Sequence, residues 1–518
     1  MDATAEAALG LAARLDHALG DPTDGRNPAS FAAAVTADRE GRFPQHLCAA
    51  ALSWGLAEHL IPAAEGGRLA SLDACLALLR VLARRDLTAA TAIAAAFLAG
   101  VPVWRHGTPV QRRAVAAVLR GHRLLGLPLG EAEHGVDVSA DLRPGTQLAT
   151  QPATQPATQP GTQPGMPSSG AWRLSGTTLL AGHDGHAAGT TLLARTGAGI
   201  SAFLLLREAG PGDGWRSDPA YGTHGLRGSA LGRLTLDGFP AGPADLIGAP
   251  GQGLELAAGT LPVARLAVGA LALGALDTCL RAVLAFARDR RLYGAPILEL
   301  EPVAVRLADV QADLLVAEAV MHELCRVARA EPDRFPAAAS RAGGLVADLA
   351  CDAVESLAVV LGARAYCATE HWHGIVEKMR RDIAVVAALA DAGPPPGDLP
   401  PDPFVPSGGE GPWAEPLGAA RAAVAGLPGP YGPRLPALLD LLDGDPAASA
   451  CAAAWLRTRH RDAFHAGGAW LLLCLRRVAA RRGEPQPPDP GLRRLALDRL
   501  GRHHDEGRLF PDSEVPQR

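Results

Sequence analysis

The spacing of the histidine, aspartate, serine and glycine residues in this chain does not match the common motifs for metal, dinucleotide or phosphate binding or for a serine nucleophile. Residues 503–505 (His-His-Asp) are candidate metal ligands, but no second ligand group stands at a useful spacing, so we expect no metal site. Residues 251–253 (G-Q-G) are a lone glycine pair before a predicted helix, too short for a dinucleotide fingerprint. The sequence contains neither a G-x-S-x-G nucleophile motif nor a P-loop.

The composition excludes further classes of partner. The 518 residues are enough for several domains, and a net charge of −5 gives no basic field, so we expect no nucleic-acid partner. Arg265 and Asp277 interrupt the longest apolar run, which predicts that it is too short to span a membrane. The eight cysteines form no C-x-x-C pair, and the N-terminus lacks a signal pattern. We therefore expect reduced cysteines and a cytoplasmic location.

Hydrophobic periodicity divides the chain into helical and strand-rich parts. Residues 69–82 have the 3.6-residue period of an amphipathic helix, with Ser71 or Asp73 as a candidate cap. Short runs at 172–174, 191–195, 202–206 and 233–236 are bounded by Gly, Pro and Asp, which is typical of strands. The predicted order is an N-terminal helical domain (1–125), a middle β-domain (126–250), a helical bundle (251–392), a Pro/Gly-rich linker (393–416) and a helical extension (417–518).

A tandem T-Q-P-A/G tetrapeptide occupies residues 150–165, inside a predicted insertion of the β-domain (146–169). The repeat has no charge and no large apolar side chain, so it cannot bury enough surface to offset the entropy of ordering. We expect a disordered insertion without a function of its own.

Several segments share their order with one known family. Residues 254–294 form an apolar helical run with Gly269 and Gly274, ending in R-x-x-Y-G. Earlier segments are W-G-L-A-E-H-L-I-P-A-A-E-G-G (54–67) and L-P-L-G-E-A-E-H-G-V-D (127–137). Later ones are G-L-R-G-S (225–229) and the stretch 361–382, which ends in Arg-Asp. Together they resemble the acyl-CoA dehydrogenase family over about residues 40–390.

The resemblance implies both a fold and a reaction. The fold is mainly α with a small β-domain: an N-terminal helical part, a middle β-barrel-like part and a C-terminal helical bundle, here with an extra helical tail. The reaction is α,β-dehydrogenation of an acyl thioester, acyl-CoA or acyl-carrier protein, by an FAD-linked oxidoreductase or a subunit of one. In the family the arginine of the R-x-x-F-G turn reaches FAD of a neighbouring subunit. This implies a homo- or hetero-oligomer formed through residues 254–390.

The resemblance also assigns candidate site residues, and there the sequence departs from the family. Arg290 corresponds to the turn arginine and Ser229 to the serine of G-x-R-x-S. Gly130 and Gly182 stand where the family has flavin-contacting threonines. These four residues are the predicted FAD contacts.

The family's catalytic glutamate is missing from its usual position. That position is Ala390, which makes the adjacent Asp391 the candidate catalytic base. The other place where some members carry the base is Ala264. The sequence also departs from the family at Val136 (serine in the family), Leu180 (tryptophan), Val359 (glutamine) and Ala363 (glycine). The alternative is therefore a non-catalytic, acyl-CoA dehydrogenase-like partner or binding protein that has lost its base and its flavin contacts.

Overall fold

The computed structural model describes residues 3–129, 139–142, 172–181, 187–206, 214–217, 221–229, 231–368, 372–391, 414–425, 427 and 429–507. Its helices before and within the central bundle are α1 (Ala3–Leu19), α2 (Phe31–Arg39), α3 (Gln45–Trp54), α4 (Leu72–Arg85), α5 (Leu87–His106), α6 (Pro109–Arg120), α7 (Gly253–Asp289), α8 (Glu301–Ala330), α9 (Phe335–Leu361) and α10 (Ile375–Asp391). The later helices are α11 (Ala414–Val424), α12 (Leu435–Leu441), α13 (Pro446–Thr458), α14 (Ala463–Ala466), α15 (Ala469–Arg481) and α16 (Pro490–Asp505).

The strands lie between α6 and α8. They are β1 (Leu127–Leu129), β2 (Ser139–Leu142), β3 (Trp172–Ala181), β4 (Gly189–Thr196), β5 (Gly199–Leu206), β6 (Trp215–Ser217), β7 (Gly232–Ala241), β8 (Leu246–Ile247), β9 (Arg291–Leu292) and β10 (Ala295–Pro296). This order confirms the predicted mainly α fold with a small β part. The repeat at 150–165 lies outside the described residues.

Side-chain caps determine where the N-terminal helices begin. The Ser71 hydroxyl accepts the Ala74 N–H at 3.2 Å, so the predicted helix at 69–82 is confirmed as α4. Thr108 and Gln111 form a reciprocal capping box at the start of α6, with hydrogen bonds of 2.8 and 3.3 Å. The Gln111 amide also donates to the carbonyls of Ala244 and Leu246 at 2.8 and 2.9 Å. A local capping residue thereby fixes α6 against the sheet.

The first eight strands form one sheet in the order β6-β7-β3-β2-β4-β5-β8, with β1 paired to β3. Strand β2 runs antiparallel to β3 and parallel to β4. The sheet has its own apolar core, in which Trp172 meets Phe203 edge to face at 5.4 Å between ring centroids. The sheet is thus a separate packing unit inserted between two sets of helices.

Close approach of α7 to its neighbours depends on two glycines. A Cβ at Gly269 would lie 2.7 Å from the Met321 sulfur, and one at Gly274 would lie 2.6 Å from Ala83 of α4. Both glycines are therefore needed for packing within one chain.

Two helices, α5 and α7, are long and apolar enough to cross a bilayer by length and composition alone. We expected Arg265 and Asp277 to leave α7 too short to span a membrane; by length and composition that expectation is wrong. The most apolar window of α5 is 89% buried within the protein and that of α7 is 61% buried. Such burial is typical of core helices, so neither helix is strong evidence for a membrane span.

The C-terminal extension packs on α8 through α13, α15 and α16. Its own core is built around Trp455 and Trp470, and the Trp455 indole N–H donates to the His465 carbonyl at 2.8 Å. Asp313 of α8 is fully buried and accepts two hydrogen bonds each from Arg477 and Arg481, all between 2.8 and 2.9 Å. This carboxylate is the main polar link between the bundle and the extension.

We expect Asp313→Asn to lower the free energy of unfolding by about 2–3 kcal/mol, because two guanidinium groups lose their shared buried acceptor. Urea unfolding monitored by far-ultraviolet circular dichroism measures the change. Asp352→Asn is the matched control, since Asp352 also pairs with Arg481 at 2.7 Å but its side chain is 70% exposed. That control should lose less than about 1 kcal/mol. Equal losses in the two variants would contradict the assignment of Asp313 as the main link.

Candidate active site

Arg290 lies in the turn that ends α7. Its N–H donates to the Phe286 carbonyl at 2.9 Å, and its carbonyl accepts the Ile297 N–H at 2.8 Å. The following residues form the β9–β10 hairpin, in which Tyr293 and Gly294 have φ values of 54° and 86°. Tyr293 is 95% exposed. The backbone thus holds Arg290 at the base of a projecting hairpin.

Neighbouring arginines in this turn differ from Arg290 in their partners. Arg288 pairs with Asp505 of α16 at 2.6 Å, and Arg291 donates to the Gly294 carbonyl at 3.2 Å. Among the described residues, none is a hydrogen-bond or ion-pair partner of the Arg290 guanidinium. A free, exposed guanidinium is well suited to bind a phosphate from outside the chain.

Ser229 ends a loop, residues 221–229, that is clamped between two helical parts. A Cβ at Gly225 would lie 2.3 Å from the Arg381 carbonyl oxygen, and one at Gly228 would lie 2.3 Å from the Arg42 carbonyl oxygen. The loop therefore fits only because glycine occupies both positions. Ser229 is half-buried, and its N–H donates to the Leu226 carbonyl at 3.0 Å.

The same loop is tied to α10 by hydrogen bonds. The Leu226 N–H donates to Asp382 Oδ1 at 2.6 Å. Arg381 Nη1 donates to the His224 carbonyl at 3.0 Å. These bonds connect the loop that carries Ser229 to the helix whose last turn contains residues 390 and 391.

A buried ion cluster lies beneath this loop, and we call it the Lys378 junction. It consists of Lys378, Asp86, Thr88, Asp382, Arg381, Asp38 and Glu377. The Lys378 ammonium donates to Asp382 Oδ2 at 2.5 Å, to Asp86 Oδ1 at 2.9 Å and to Thr88 Oγ1 at 3.3 Å. All three of its N–H donors are therefore satisfied. Lys378 is also the only lysine of the chain.

The junction keeps Lys378 charged. Burial opposes the ammonium charge, but the carboxylates of Asp382 and Asp86 outweigh burial and raise the pKa of Lys378 above its usual range. Burial raises the pKa of Asp382, while Lys378 opposes that shift. A compact ammonium with three donors fits this space, whereas a guanidinium is larger and planar.

Arg381 and Asp382, although adjacent in sequence, do not pair with each other. Arg381 binds Asp38 of α2 at 2.7 Å and Glu377 at 2.6 Å. Asp382 binds Lys378 and the loop instead. Each residue of the Arg-Asp segment therefore connects α10 to a different part of the molecule.

The sequence did not single out the Lys378 junction as a site. Its contacts span up to 343 positions along the chain, from Asp38 to Arg381, so no local pattern could reveal it. The one available signal was the retention of a single lysine in a chain that otherwise uses arginine.

The predicted base lies at the end of α10, which extends to Asp391. The helix places residues 390 and 391 two to three turns beyond the Lys378 junction. Ala264, the other position where the family can carry a base, is half-buried on α7. Gly130 and Gly182 lie outside the described residues. No described contact joins Ser229 to Arg290.

Family models match both helical parts of this chain. The N-terminal domain of acyl-CoA dehydrogenases matches residues 29–121, and the C-terminal domain matches residues 251–390. The chain belongs to the acyl-CoA dehydrogenase family. The second match includes Arg290 and ends at Ala390, the position that the family fills with glutamate.

Individual relatives and structures agree with this assignment. The probable acyl-CoA dehydrogenase FadE25 of Mycobacterium tuberculosis is 26% identical over 332 residues, which covers 62% of this chain and 79% of the relative. Butyryl-CoA dehydrogenase from Megasphaera elsdenii has a similar fold, with a TM-score of 0.62 at 18% identity over 76% of this chain and 95% of that chain. The prolyl acyl carrier protein oxidase AnaB superposes with a TM-score of 0.61 at 17% identity, over 76% and 96% of the two chains.

Members of this family generally bind FAD, and two described residues fit one end of such a cofactor. Arg290 offers a guanidinium without a described partner, which suits a pyrophosphate. Ser229 offers a hydroxyl without a described partner at the edge of the β part. Val359, where the family has glutamine, is 59% exposed and has no polar side-chain atom, so it cannot replace that amide. The described residues therefore suit the pyrophosphate end of FAD better than its flavin end.

Proposed function

We propose that this chain is an FAD-linked oxidoreductase, or a subunit of one, that dehydrogenates an acyl thioester. The observation that supports it most directly is the match of both helical family domains, with Arg290 retained in the family's turn. One of the similar proteins is named for a coenzyme A thioester, butyryl-CoA, and another for a prolyl acyl carrier protein. Either carrier is compatible with this proposal.

In the proposed reaction, bound FAD supplies a hydride acceptor. Arg290 would hold the pyrophosphate of the FAD bound to a neighbouring copy, and Ser229 would donate a hydrogen bond at the edge of the β part. Asp391 removes the α-proton of the substrate from the end of α10. The Lys378 junction fixes α10 against loop 221–229. The distance between Asp391 on α10 and Ser229 in the loop therefore stays constant.

One observation favours a second function, that of a non-catalytic partner. Positions 264, 359 and 390 all lack polar side chains that members of the family use. Each lost hydrogen bond contributes about 0.5–1.5 kcal/mol, so several losses could weaken FAD binding by orders of magnitude. A binding protein with this fold would keep the thioester pocket without the redox chemistry.

The two functions are distinguished by purifying the full chain and recording its visible spectrum before and after reconstitution with FAD. The oxidoreductase binds flavin, and acyl thioesters bleach its absorbance anaerobically. A chain that stays colourless after reconstitution, yet binds an acyl thioester by calorimetry, is the non-catalytic partner.

We also predict that the chain forms a dimer or a larger oligomer through the helical block 254–390. The unpartnered Arg290 and the exposed Tyr293 lie together in one projecting hairpin, which is the arrangement expected if they contact a second copy. Multi-angle light scattering at micromolar concentration should give at least twice the mass of one chain. A monomer mass would contradict the prediction.

A further inference from the structure

A second arginine, Arg364, lies beside the turn that carries Arg290. It belongs to the segment Gly362–Tyr366, which follows α9 directly. The central carbon of its guanidinium lies 5.6 Å from the centre of the Phe286 ring, in the last turn of α7. The Arg290 N–H donates to the carbonyl of that same Phe286 at 2.9 Å. The two arginines therefore meet at one turn of α7.

The segment after α9 holds Arg364 at the surface and against α7. Gly362 has a φ of 60°, a value that glycine adopts without strain, so the chain can leave the helix sharply. Leu361 and Ala365 are buried on either side, whereas Arg364 is exposed. The face of the Phe286 ring attracts the guanidinium and favours this position.

The guanidinium of Arg364, like that of Arg290, has no hydrogen-bond or ion-pair partner among the described residues. The acids around them bind other arginines: Glu355 pairs with Arg380 at 2.7 Å, and Asp505 pairs with Arg288 at 2.6 Å. No described ion pair joins Asp289 to either Arg290 or Arg364. Two cations that lie close together without a carboxylate repel each other, so an anion with more than one charge would stabilise the pair.

The spacing of the two arginines suits a diphosphate. Residue 290 follows Phe286 by four positions, which is about 6 Å along a helix axis and nearly on the same helix face. Each guanidinium can donate two parallel hydrogen bonds to a phosphoryl group. Two adjacent phosphoryl groups can therefore be bound by the two arginines together.

We propose that Arg364 acts with Arg290 in binding the diphosphate of FAD held by a neighbouring copy. This inference rests on the proposed function and adds a binding residue to the same site. Val359, where the family has glutamine, lies in the last turn of α9, five positions before Arg364. The guanidinium of Arg364 thus supplies charged donors next to the position that lost an amide.

The test measures the dissociation constants of FAD and of ADP, a diphosphate without a flavin, for the full chain by isothermal titration calorimetry at constant ionic strength. We expect Arg364→Gln to weaken both ligands about tenfold, because the diphosphate loses two charged hydrogen bonds. Arg290→Gln should weaken both to a similar extent. Arg364→Lys keeps the charge without the planar fork and should lie between Arg364→Gln and the unchanged chain.

The matched control is Arg291→Gln, which removes an exposed cation of the same hairpin. The Arg291 guanidinium already donates to the Gly294 carbonyl at 3.2 Å, so this change should alter both affinities by less than about twofold. Equal losses in Arg291→Gln and Arg364→Gln would overturn the inference, because they would show only a general effect of positive charge. A loss in Arg364→Gln without a loss in Arg290→Gln would place the ligand elsewhere and also overturn it.

The two ligands separate this inference from the proposed function. If FAD and ADP bind Arg364→Gln as tightly as the unchanged chain, Arg364 is not a ligand of the diphosphate, while the oxidoreductase assignment stands. If ADP binding depends on Arg364 but FAD does not bind, the oxidoreductase assignment fails and the diphosphate site remains. If neither ligand binds the unchanged chain, both proposals are overturned.

Discussion

Replacing Lys378 by methionine is expected to lower the free energy of unfolding by about 3–5 kcal/mol, because it leaves two buried carboxylates without their shared cation. Asp86 and Asp382 are 1% and 0% exposed in their side chains, so water cannot solvate them without opening the junction. Methionine keeps most of the volume of the lysine side chain, so the loss reports the charge rather than a cavity. Equilibrium urea unfolding measures it.

The pH dependence of Lys378→Met provides a second test. Without the ammonium, the Asp382 carboxyl has a folded-state pKa above its unfolded value, because burial already raises the pKa of Asp382 and Lys378 no longer opposes that shift. A carboxyl with a raised folded-state pKa binds its proton more tightly when folded, so stability recovers as pH falls. The deficit of the variant should therefore shrink between neutral and mildly acidic pH.

The control for Lys378→Met is Arg494→Met, which removes an exposed cation of α16 that has no described ion pair. It should change stability by no more than about 0.5 kcal/mol. A loss below about 1 kcal/mol in Lys378→Met, or a deficit that grows as pH falls, would show that the junction does not hold the helices together.

The second large effect concerns the proposed base. Asp391→Asn should lower acyl thioester turnover by about 10²- to 10⁴-fold while flavin content stays constant, because asparagine cannot accept the α-proton. Anaerobic stopped-flow bleaching of the flavin follows the step directly. Asp498→Asn, an exposed acid of α16, is the control and should retain full activity. If Asp391→Asn retains full activity, the base lies elsewhere or in a partner chain.

Ala390→Glu is the complementary change, since it restores the carboxylate at the family's usual position. If α10 still presents this position to the substrate, proton abstraction should become faster than in the unchanged chain. No gain in a variant that contains FAD would mean that the acyl pocket itself has been lost, and would favour the non-catalytic partner.

Local patterns predicted much of the secondary structure. Strand signals at residues 172–174 and 202–206 fall within β3 and β5, and the predicted helical extension (417–518) contains α12 to α16. The Ser71 cap could be predicted because a capping side chain bonds to a backbone group three residues away. The order of family motifs also predicted the three-part fold.

The tertiary structure alone decided how those parts are joined. Lys378 contacts Asp86, which is 292 positions away, and Arg477 contacts Asp313, which is 164 positions away. The periodicity of the sequence cannot predict such pairs, because each pair depends on two helices that meet only when the chain has folded. For the same reason Arg381 and Asp382, adjacent in sequence, have separate partners. Successive side chains of a helix point about 100° apart, so each faces a different part of the molecule.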